Sequence, residues 1–314
     1  MALRRLNDYL LLYLKGVGMG GADVIPGVSG GTIAFITGIY EELIGSIKSV
    51  DGKALQLLFT FQLVEFWKTI NGNFLIAVLA GVLTSLLSLA RLMTYLLANH
   101  SISIWSFFFG LILVSSPLIL RDIPRWSAGT ALSFVIGVAA AYGITVLSPA
   151  ETPDNLFFIF LCGGLAICAM ILPGISGAFI LLLLGKYEYM ITALLDMNAP
   201  VIAVFATGCI LGLIGFSHVL TWILKNYRYP TLALLGGFMI GSLNKVWPWK
   251  EVVAYRFNHE GLQVPAFDKS IWPARYLEVT GQDPQLFQAI LFAALGIFLV
   301  VAIEKTAFYL RSKY

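Results

Sequence analysis

Charged residues are scarce in this sequence: Asp, Glu, Lys and Arg make up 12% of its 314 residues. Soluble domains usually carry about 25% of these residues. The low charge therefore excludes an ordinary soluble domain, and the 59% share of hydrophobic residues indicates an integral membrane protein. The net charge of +3 comes from basic residues scattered over many connections, so no surface for nucleic acid is predicted.

Cysteine and histidine are also rare, with three residues of each. The cysteines lie in apolar segments, at Cys162, Cys168 and Cys209. The histidines lie far apart in the sequence, at His100, His218 and His259. Neither set has the spacing of metal ligands. Packing is the role expected for the cysteines. An intramembrane phosphatase would need a nucleophile with a general acid, or a metal cluster. The sequence offers neither pattern, so we predict a protein that is not an enzyme and that has no catalytic residue, metal or cofactor.

Long apolar runs are abundant. About 20 residues of helix cross the roughly 30 Å of hydrocarbon in a bilayer. Six runs reach or approach that length and predict an all-α polytopic membrane protein: 74–98, 103–120, 127–147, 200–224, 230–247 and 286–304.

The sequence contains an internal repeat. PGVSGGTIAFITGIYEELI at 26–44 aligns without gaps on PGISGAFILLLLGKYEYMI at 173–191, with nine identities in nineteen positions and a shift of 147. Further along the shift is 127, which aligns Gly110 with Gly237. The difference between the two shifts fits an amphipathic insertion at 48–72, which predicts an interfacial helix at about 54–68. The predicted repeats are therefore 1–150 and 151–314.

Each repeat carries a helix-breaking motif, PG[VI]SG, inside an apolar stretch. Proline removes a backbone donor and glycine loosens a helix, so the breaks are expected at Pro26, Gly27, Pro173 and Gly174. Broken backbone survives in a membrane only inside the protein or beside a watery cavity. The short arms favour re-entrant hairpins at about 10–47 and 156–190 that meet near the midplane, although fully spanning hairpins stay an alternative.

Charge placement orients the repeats. Basic residues occupy alternate connections, whereas the short connections at 99–103 and 148–155 have none. The positive-inside rule then places both termini in the cytoplasm and the 248–285 loop outside. Each repeat holds one hairpin and three crossings, and an odd number of crossings predicts an inverted-topology pair.

The two breaks predict an anion site. Helix starts carry free N–H donors and partial positive charge, and small residues let a phosphate approach the backbone. The predicted phosphate-binding residues are Ser29, Gly30, Gly31, Thr32, Ser176, Gly177 and, from the third apolar run, Arg91. Arg91 could hold a phosphate bidentately or could extend to the membrane surface. Close helix packing by small residues is the alternative for the motifs.

Ionisable groups at membrane depth are candidates for ion coupling. Asp23 precedes the first break, and its counterpart in the second repeat is the uncharged Met170. A buried carboxylate is costly and usually functional, which favours a site for H⁺ or Na⁺, with a helix cap as the alternative. Further candidates are Glu41 and Glu188, for which interface anchoring is the first expectation, and His218, the counterpart of Arg91.

The stretches ADVIPGVSGGTIAFITGIYEELI and ILPGISGAFILLLLGKYE resemble the bacterial polyprenyl-phosphate transporter family, PopT. The resemblance covers nearly the whole chain. It implies a flippase of the cytoplasmic (inner) membrane that returns undecaprenyl phosphate from the outer to the inner leaflet for envelope polysaccharide synthesis. The implied partners are the polyprenyl-phosphate lipid and the bilayer, and homo-oligomer formation stays open.

Two other functions remain to be weighed against the lipid carrier. A symporter of a small soluble anion would use the same broken helices but would need a sealed polar cavity. An intramembrane lipid phosphatase lacks the residue spacing described above. Neither the coupling ion nor its stoichiometry follows from the sequence.

Overall fold

The chain folds into a helical, polytopic arrangement, as the sequence predicts. The computed structural model describes residues 4–23, 29–147, 152–257 and 263–312. Within these ranges, side chains are described except at 89–91, 94, 256–257, 263–267 and 306–312.

The described part of the first half contains one helix before the first break, two short helices after it, two in the insertion and three long ones. Their bounds are α1 (Leu6–Asp23), α2 (Gly30–Ile36), α3 (Tyr40–Lys48), α4 (Gly52–Phe59), α5 (Leu63–Thr69), α6 (Gly72–Asn99), α7 (Ser101–Leu120) and α8 (Ala128–Val146). The insertion thus forms α4 and α5 rather than the single predicted helix at about 54–68. A turn at Phe61, with φ of 56°, separates the two helices.

The second half repeats the order of the helices without this insertion, but it adds two strands and a short helix before its last helix. Its elements are α9 (Leu156–Ile171), α10 (Gly177–Leu183), α11 (Tyr187–Leu195), α12 (Ala199–Asn226), α13 (Arg228–Ser242), β1 (Lys250–Phe257), β2 (Gln263–Ser270), α14 (Pro273–Thr280) and α15 (Leu286–Ser312). Helices α6 and α12 both contain 28 residues, in accord with their predicted equivalence.

Within the described ranges, four helices are long and apolar enough to cross a membrane, and up to six spans result if each of two bent helix pairs counts as one. The four are α7, α8, α12 and α15 to Lys305, and the bent pairs are α5 with α6 and α10 with α11. The predicted span at 230–247 is wrong in length. Helix α13 stops at Ser242 after 15 residues, about 22 Å of helix, because the chain turns there toward the first strand.

Glycines bring the helices into close contact at matching positions of the two halves. A Cβ on Gly16 would collide with the carbonyl of Val78, and one on Gly81 with the carbonyl of Tyr13. The same arrangement joins α9 and α12. A Cβ on Gly163 would collide with the carbonyl of Phe205, and one on Gly208 with the carbonyl of Phe160. The shift of 147 relates Gly16 to Gly163, and the shift of 127 relates Gly81 to Gly208.

Two helices near the end of each half pack against helices of the other half. Helix α7 packs against α15 through Gly110 and Gly296, and α8 packs against α13 through Gly137 and Gly237. Since each crossing joins one helix from either half, the halves form a single interlocked body. Only glycine fits at such crossings, because a side chain would enter the backbone of the neighbouring helix.

A β-hairpin stands where the sequence analysis predicted only an outside loop. Strands β1 and β2 pair antiparallel, with Lys250 opposite Ser270. Below the strands, Trp247 packs edge to face against Trp249 and Trp272. The Trp247 indole N–H donates to the Ile271 carbonyl at 2.8 Å, which fixes the hairpin onto the end of the helical body.

Candidate functional site

The second break has the geometry that its sequence predicts. Helix α9 ends before Pro173, and Gly174 adopts a φ of +87°, which favours glycine. Ser176 then caps α10, its hydroxyl accepting from the Phe179 N–H at 3.5 Å. A Cβ on Gly174 would lie 2.8 Å from the Phe238 carbonyl, so this turn packs directly on α13.

The first break is described on both of its sides. Pro26 and Gly27 lie outside the described residues. After them, Ser29 caps α2, and its hydroxyl oxygen accepts from the Gly31 N–H at 3.0 Å. Ser29 and Thr32 are fully buried, so the polar side of this break faces the interior of the protein.

The two breaks touch each other, although about 140 residues separate them in the sequence. The Ser29 hydroxyl donates to the Met170 carbonyl at 2.6 Å. The Gly174 N–H donates to the Thr32 hydroxyl oxygen at 2.9 Å. Gly31 lies so close to the Ile171 carbonyl that a Cβ would collide with it. The structure therefore brings Ser29, Gly31 and Thr32 together with the second break.

Asp23 lies at the start of α2, next to the contact between the breaks. One carboxylate oxygen accepts from the Gly30 N–H at 2.6 Å. The other oxygen lies 2.5 Å from where a Cβ of Gly30 would stand, which explains why a glycine occupies that position. The carboxylate thus occupies the place at a helix start that favours an anion. In the second repeat Met170 stands at the equivalent position.

Ser176 and Gly177 are buried beside the second break. A Cβ on Gly177 would lie 2.5 Å from the Ala166 carbonyl, so this glycine permits the close approach of α10 to α9. Small residues in the motifs therefore have a packing role, which the sequence analysis named as the alternative. Their predicted role toward a phosphate is untouched by these contacts and stays a prediction.

The remaining predicted residues lie apart from the breaks or in undescribed positions. Arg91 belongs to α6, and its side chain lies outside the description. The ring nitrogen Nδ1 of His218 is 2.9 Å from the Ile214 carbonyl of its own helix.

The two matched glutamates occupy the first turns of α3 and α11. Glu41 is 53% exposed and forms an ion pair with Arg228 at 3.0 Å. Glu188 is half-buried. The ion pair of Glu41 fits the anchoring role that the sequence analysis placed first.

Several buried charged residues were missed by the sequence analysis. Lys186 has a side chain only 4% exposed and pairs with Asp154 at 2.5 Å. Lys245, Lys250 and Asp268 form a second, largely buried group between the end of α13 and the β-hairpin. The spacing KVWPWK, with two lysines flanking two tryptophans, was the available signal. Among the described residues, no group of three His, Cys, Asp or Glu side chains could hold a metal ion.

Known proteins resemble this chain over most of its length. A family model described as undecaprenyl phosphate translocase-like matches residues 19–264. A Vibrio cholerae protein named polyprenyl-phosphate transporter is 45% identical over 307 residues, which cover 98% of this chain and 99% of that protein. A Staphylococcus aureus protein of the same name is 32% identical over 253 residues, 75% of this chain and 85% of that protein. No solved structure matches the chain.

Proposed function

This chain belongs to the undecaprenyl phosphate translocase-like family, and we propose that it carries undecaprenyl phosphate from the outer to the inner leaflet of the bacterial cytoplasmic membrane. The 45% identity over nearly the full length to a named polyprenyl-phosphate transporter carries this proposal. The returned lipid would serve again in envelope polysaccharide synthesis. The relatives are named as transporters, in agreement with a protein that is not an enzyme.

The paired breaks are the proposed site for the lipid phosphate. They gather hydroxyl and amide groups of Ser29, Gly30, Gly31 and Thr32 where two interrupted helices meet. Interrupted backbone within an apolar chain is costly unless it lines a protein interior or a cavity. Transporters of other folds place substrates at such discontinuous helices, near the middle of the bilayer.

The Asp23 carboxylate competes with a phosphate for a hydrogen-bond donor of this site. It accepts the Gly30 N–H that a phosphate oxygen would also accept, so the two anions compete for one donor. A charged Asp23 repels the phosphate, whereas a protonated one can donate a hydrogen bond to it. We therefore propose that proton or sodium binding at Asp23 is coupled to headgroup binding, in an alternating-access cycle.

Ion pairs support the proposed orientation, with both termini in the cytoplasm. Glu42 pairs with Arg4, Glu41 with Arg228, and Arg121 with Glu304, and all six residues belong to segments assigned to the inside by the distribution of charge. Lys186 and Asp154 pair among segments assigned to the outside.

The orientation is tested by labelling single cysteines. Single cysteines at the exposed positions Lys53 and Arg125 should be labelled only from inside, and one at Pro153 only from outside. The reverse pattern would overturn the orientation.

The transport proposal is tested with liposomes that contain only this protein and a fluorescent undecaprenyl phosphate. A quencher added outside reports how fast the inner-leaflet lipid reaches the outer leaflet. We expect protein-dependent exchange of the phosphate lipid and much slower exchange of fluorescent undecaprenol, which lacks the phosphate. Exchange no faster than in protein-free liposomes would overturn the proposal. Uptake of inorganic phosphate without lipid exchange would identify a soluble-anion transporter instead.

The site is tested with alanine, which fits the buried space better than a larger residue. Ser29→Ala and Ser176→Ala each remove one hydroxyl at a break. Each variant should weaken binding of undecaprenyl phosphate to the purified protein. Ser133→Ala is the matched control, since this exposed hydroxyl bonds only to the Gly129 carbonyl of its own helix among the described contacts. Wild-type affinity in both break variants would remove the site assignment.

A further inference from the structure

A compact group of charges lies below the β-hairpin, between the end of α13 and the two strands. The Lys245 ammonium pairs with one carboxylate oxygen of Asp268 at 3.0 Å. The Lys250 ammonium pairs with the other oxygen at 3.4 Å and donates to the Lys245 carbonyl at 2.7 Å. Lys250 and Asp268 reach the same place because the strands set Lys250 opposite Ser270, two residues beyond Asp268.

This group holds more positive charge than its own carboxylate neutralises. The side chains of Lys245 and Lys250 are 14% and 12% exposed, and both pair with the single carboxylate of Asp268 among the described residues. Burying a charge costs free energy unless it is paired. Two lysines facing one aspartate therefore leave a largely buried positive charge for which an anion is the natural partner.

Aromatic rings surround the two ammonium groups. The Lys250 ammonium lies 4.3 Å from the centre of the Trp105 ring, and the Lys245 ammonium lies 4.5 Å from that of Phe179. Phe179 belongs to the first turn of α10, where its N–H donates to Ser176. The charged group is therefore in direct contact with the helix that starts at the second break.

The tryptophans place this group near the membrane surface. Trp247, Trp249 and Trp272 pack together beside it, and Trp272 is 75% exposed. Tryptophan is enriched where the headgroups of a bilayer meet the hydrocarbon. A lipid headgroup would lie at this depth before it enters the protein.

We propose that Lys245 and Lys250 bind the phosphate group of the substrate on the hairpin side, before the phosphate reaches the paired breaks. This inference rests on the proposed function for the identity of the lipid. Phosphate oxygens accept from both ammonium groups and neutralise the excess charge, while Asp268 acts as the resident counter-ion that the phosphate partly displaces. Charge-assisted hydrogen bonds of this kind are shorter and stronger than neutral ones.

The test measures binding of undecaprenyl phosphate, undecaprenol and inorganic phosphate to the purified protein in nanodiscs, together with thermal stability. Lys250→Gln leaves Lys245 and Asp268 as a neutral pair, so the variant should keep or exceed wild-type stability. It should bind undecaprenyl phosphate about tenfold more weakly, the loss that corresponds to about 1.4 kcal/mol. Asp268→Asn should tighten binding several-fold, because it removes the competing carboxylate. Lys269→Gln, an exposed neighbour on β2, is the control for net charge and should match wild type.

The outcomes separate this inference from the proposed function. Wild-type affinity in Lys250→Gln, or a loss of affinity that accompanies a loss of stability, would overturn the phosphate role of the lysines. Equal competition by inorganic phosphate would identify free phosphate as the ligand, while binding of the lipid alone would identify the headgroup. Failure of the wild-type protein to exchange lipid in liposomes would overturn the transport proposal and leave the binding result to be judged by itself.

Discussion

The two breaks share a motif but differ in the charge beside them. At the first, the Asp23 carboxylate accepts from the Gly30 N–H at the start of α2. At the second, the equivalent residue is Met170, and the nearby charge is the Lys245 ammonium over Phe179. In both repeats the serine of the motif caps a short helix, while the charged group near the first break is an anion and the one near the second is a cation. We therefore propose different tasks for the two breaks: ion coupling at the first and headgroup attraction at the second.

The largest effect is expected from separating the breaks. In Gly31→Ala, the new methyl group would collide with the Ile171 carbonyl, and neither backbone can yield without moving its helix. We expect a loss of about 3 kcal/mol in the free energy of unfolding, measured as a lower thermal midpoint in detergent. Gly45→Ala is the control, because nothing lies within 4 Å of its Cβ position. If both variants melt alike, the breaks are not in contact.

A smaller effect is expected from removing one hydrogen bond between the breaks. Thr32→Val keeps the shape of the side chain but leaves the buried Gly174 N–H without its acceptor. The unpaired donor should cost about 1–3 kcal/mol, again measured by thermal unfolding. Thr84→Val should change stability by less than about 0.5 kcal/mol, because that exposed hydroxyl bonds to the Ala80 carbonyl of its own helix. Equal stability of the two variants would contradict the contact.

The pH dependence of binding sharpens the cationic side of the comparison. Burial lowers the pKa of Lys250 to about 8, with Lys245 adding to the decrease and Asp268 opposing it. Lys250 is therefore charged below pH 8 and loses its proton as the pH rises through that value. Affinity for undecaprenyl phosphate should fall above pH 8, by at most about tenfold per pH unit. A phosphate monoester has its second pKa near 6, so its own charge is constant in this range.

Lys250→Arg provides the control for this profile, since a guanidinium stays charged throughout. Binding to that variant should be independent of pH between 8 and 10. A profile that is identical in the variant and the wild type would assign the pH effect to another group.

The breaks could be predicted from short stretches of sequence. The features that were not predicted depend on contacts between residues far apart in the sequence. Proline followed by glycine marked the turn at Pro173 and Gly174, because those residues restrict the backbone by themselves. The β-hairpin depends on pairing of Lys250 with Ser270, which no short window reveals. For the same reason, the convergence of Lys245, Lys250 and Asp268 was not predicted.

The contact between the breaks illustrates the same limit within the candidate site. The repeat predicted that two interrupted helices would meet, but not that the Ser29 hydroxyl would donate to the Met170 carbonyl. That bond depends on how the halves interlock through the glycine crossings. The Asp23 cap was foreseen only as an alternative, because the carboxylate accepts from an N–H group seven residues further along the chain.

The most direct test of the account compares wild type with Asp23→Asn in liposomes under an imposed H⁺ or Na⁺ gradient. Asparagine keeps an oxygen that accepts the Gly30 N–H, so the variant should fold, while it cannot carry the ion. We expect lipid exchange by the wild-type protein to accelerate under one of the two gradients, and exchange by Asp23→Asn to persist at a slower rate that no gradient changes. Exchange by Asp23→Asn at the wild-type rate, with its gradient response intact, would make Asp23 a helix cap alone and contradict the account.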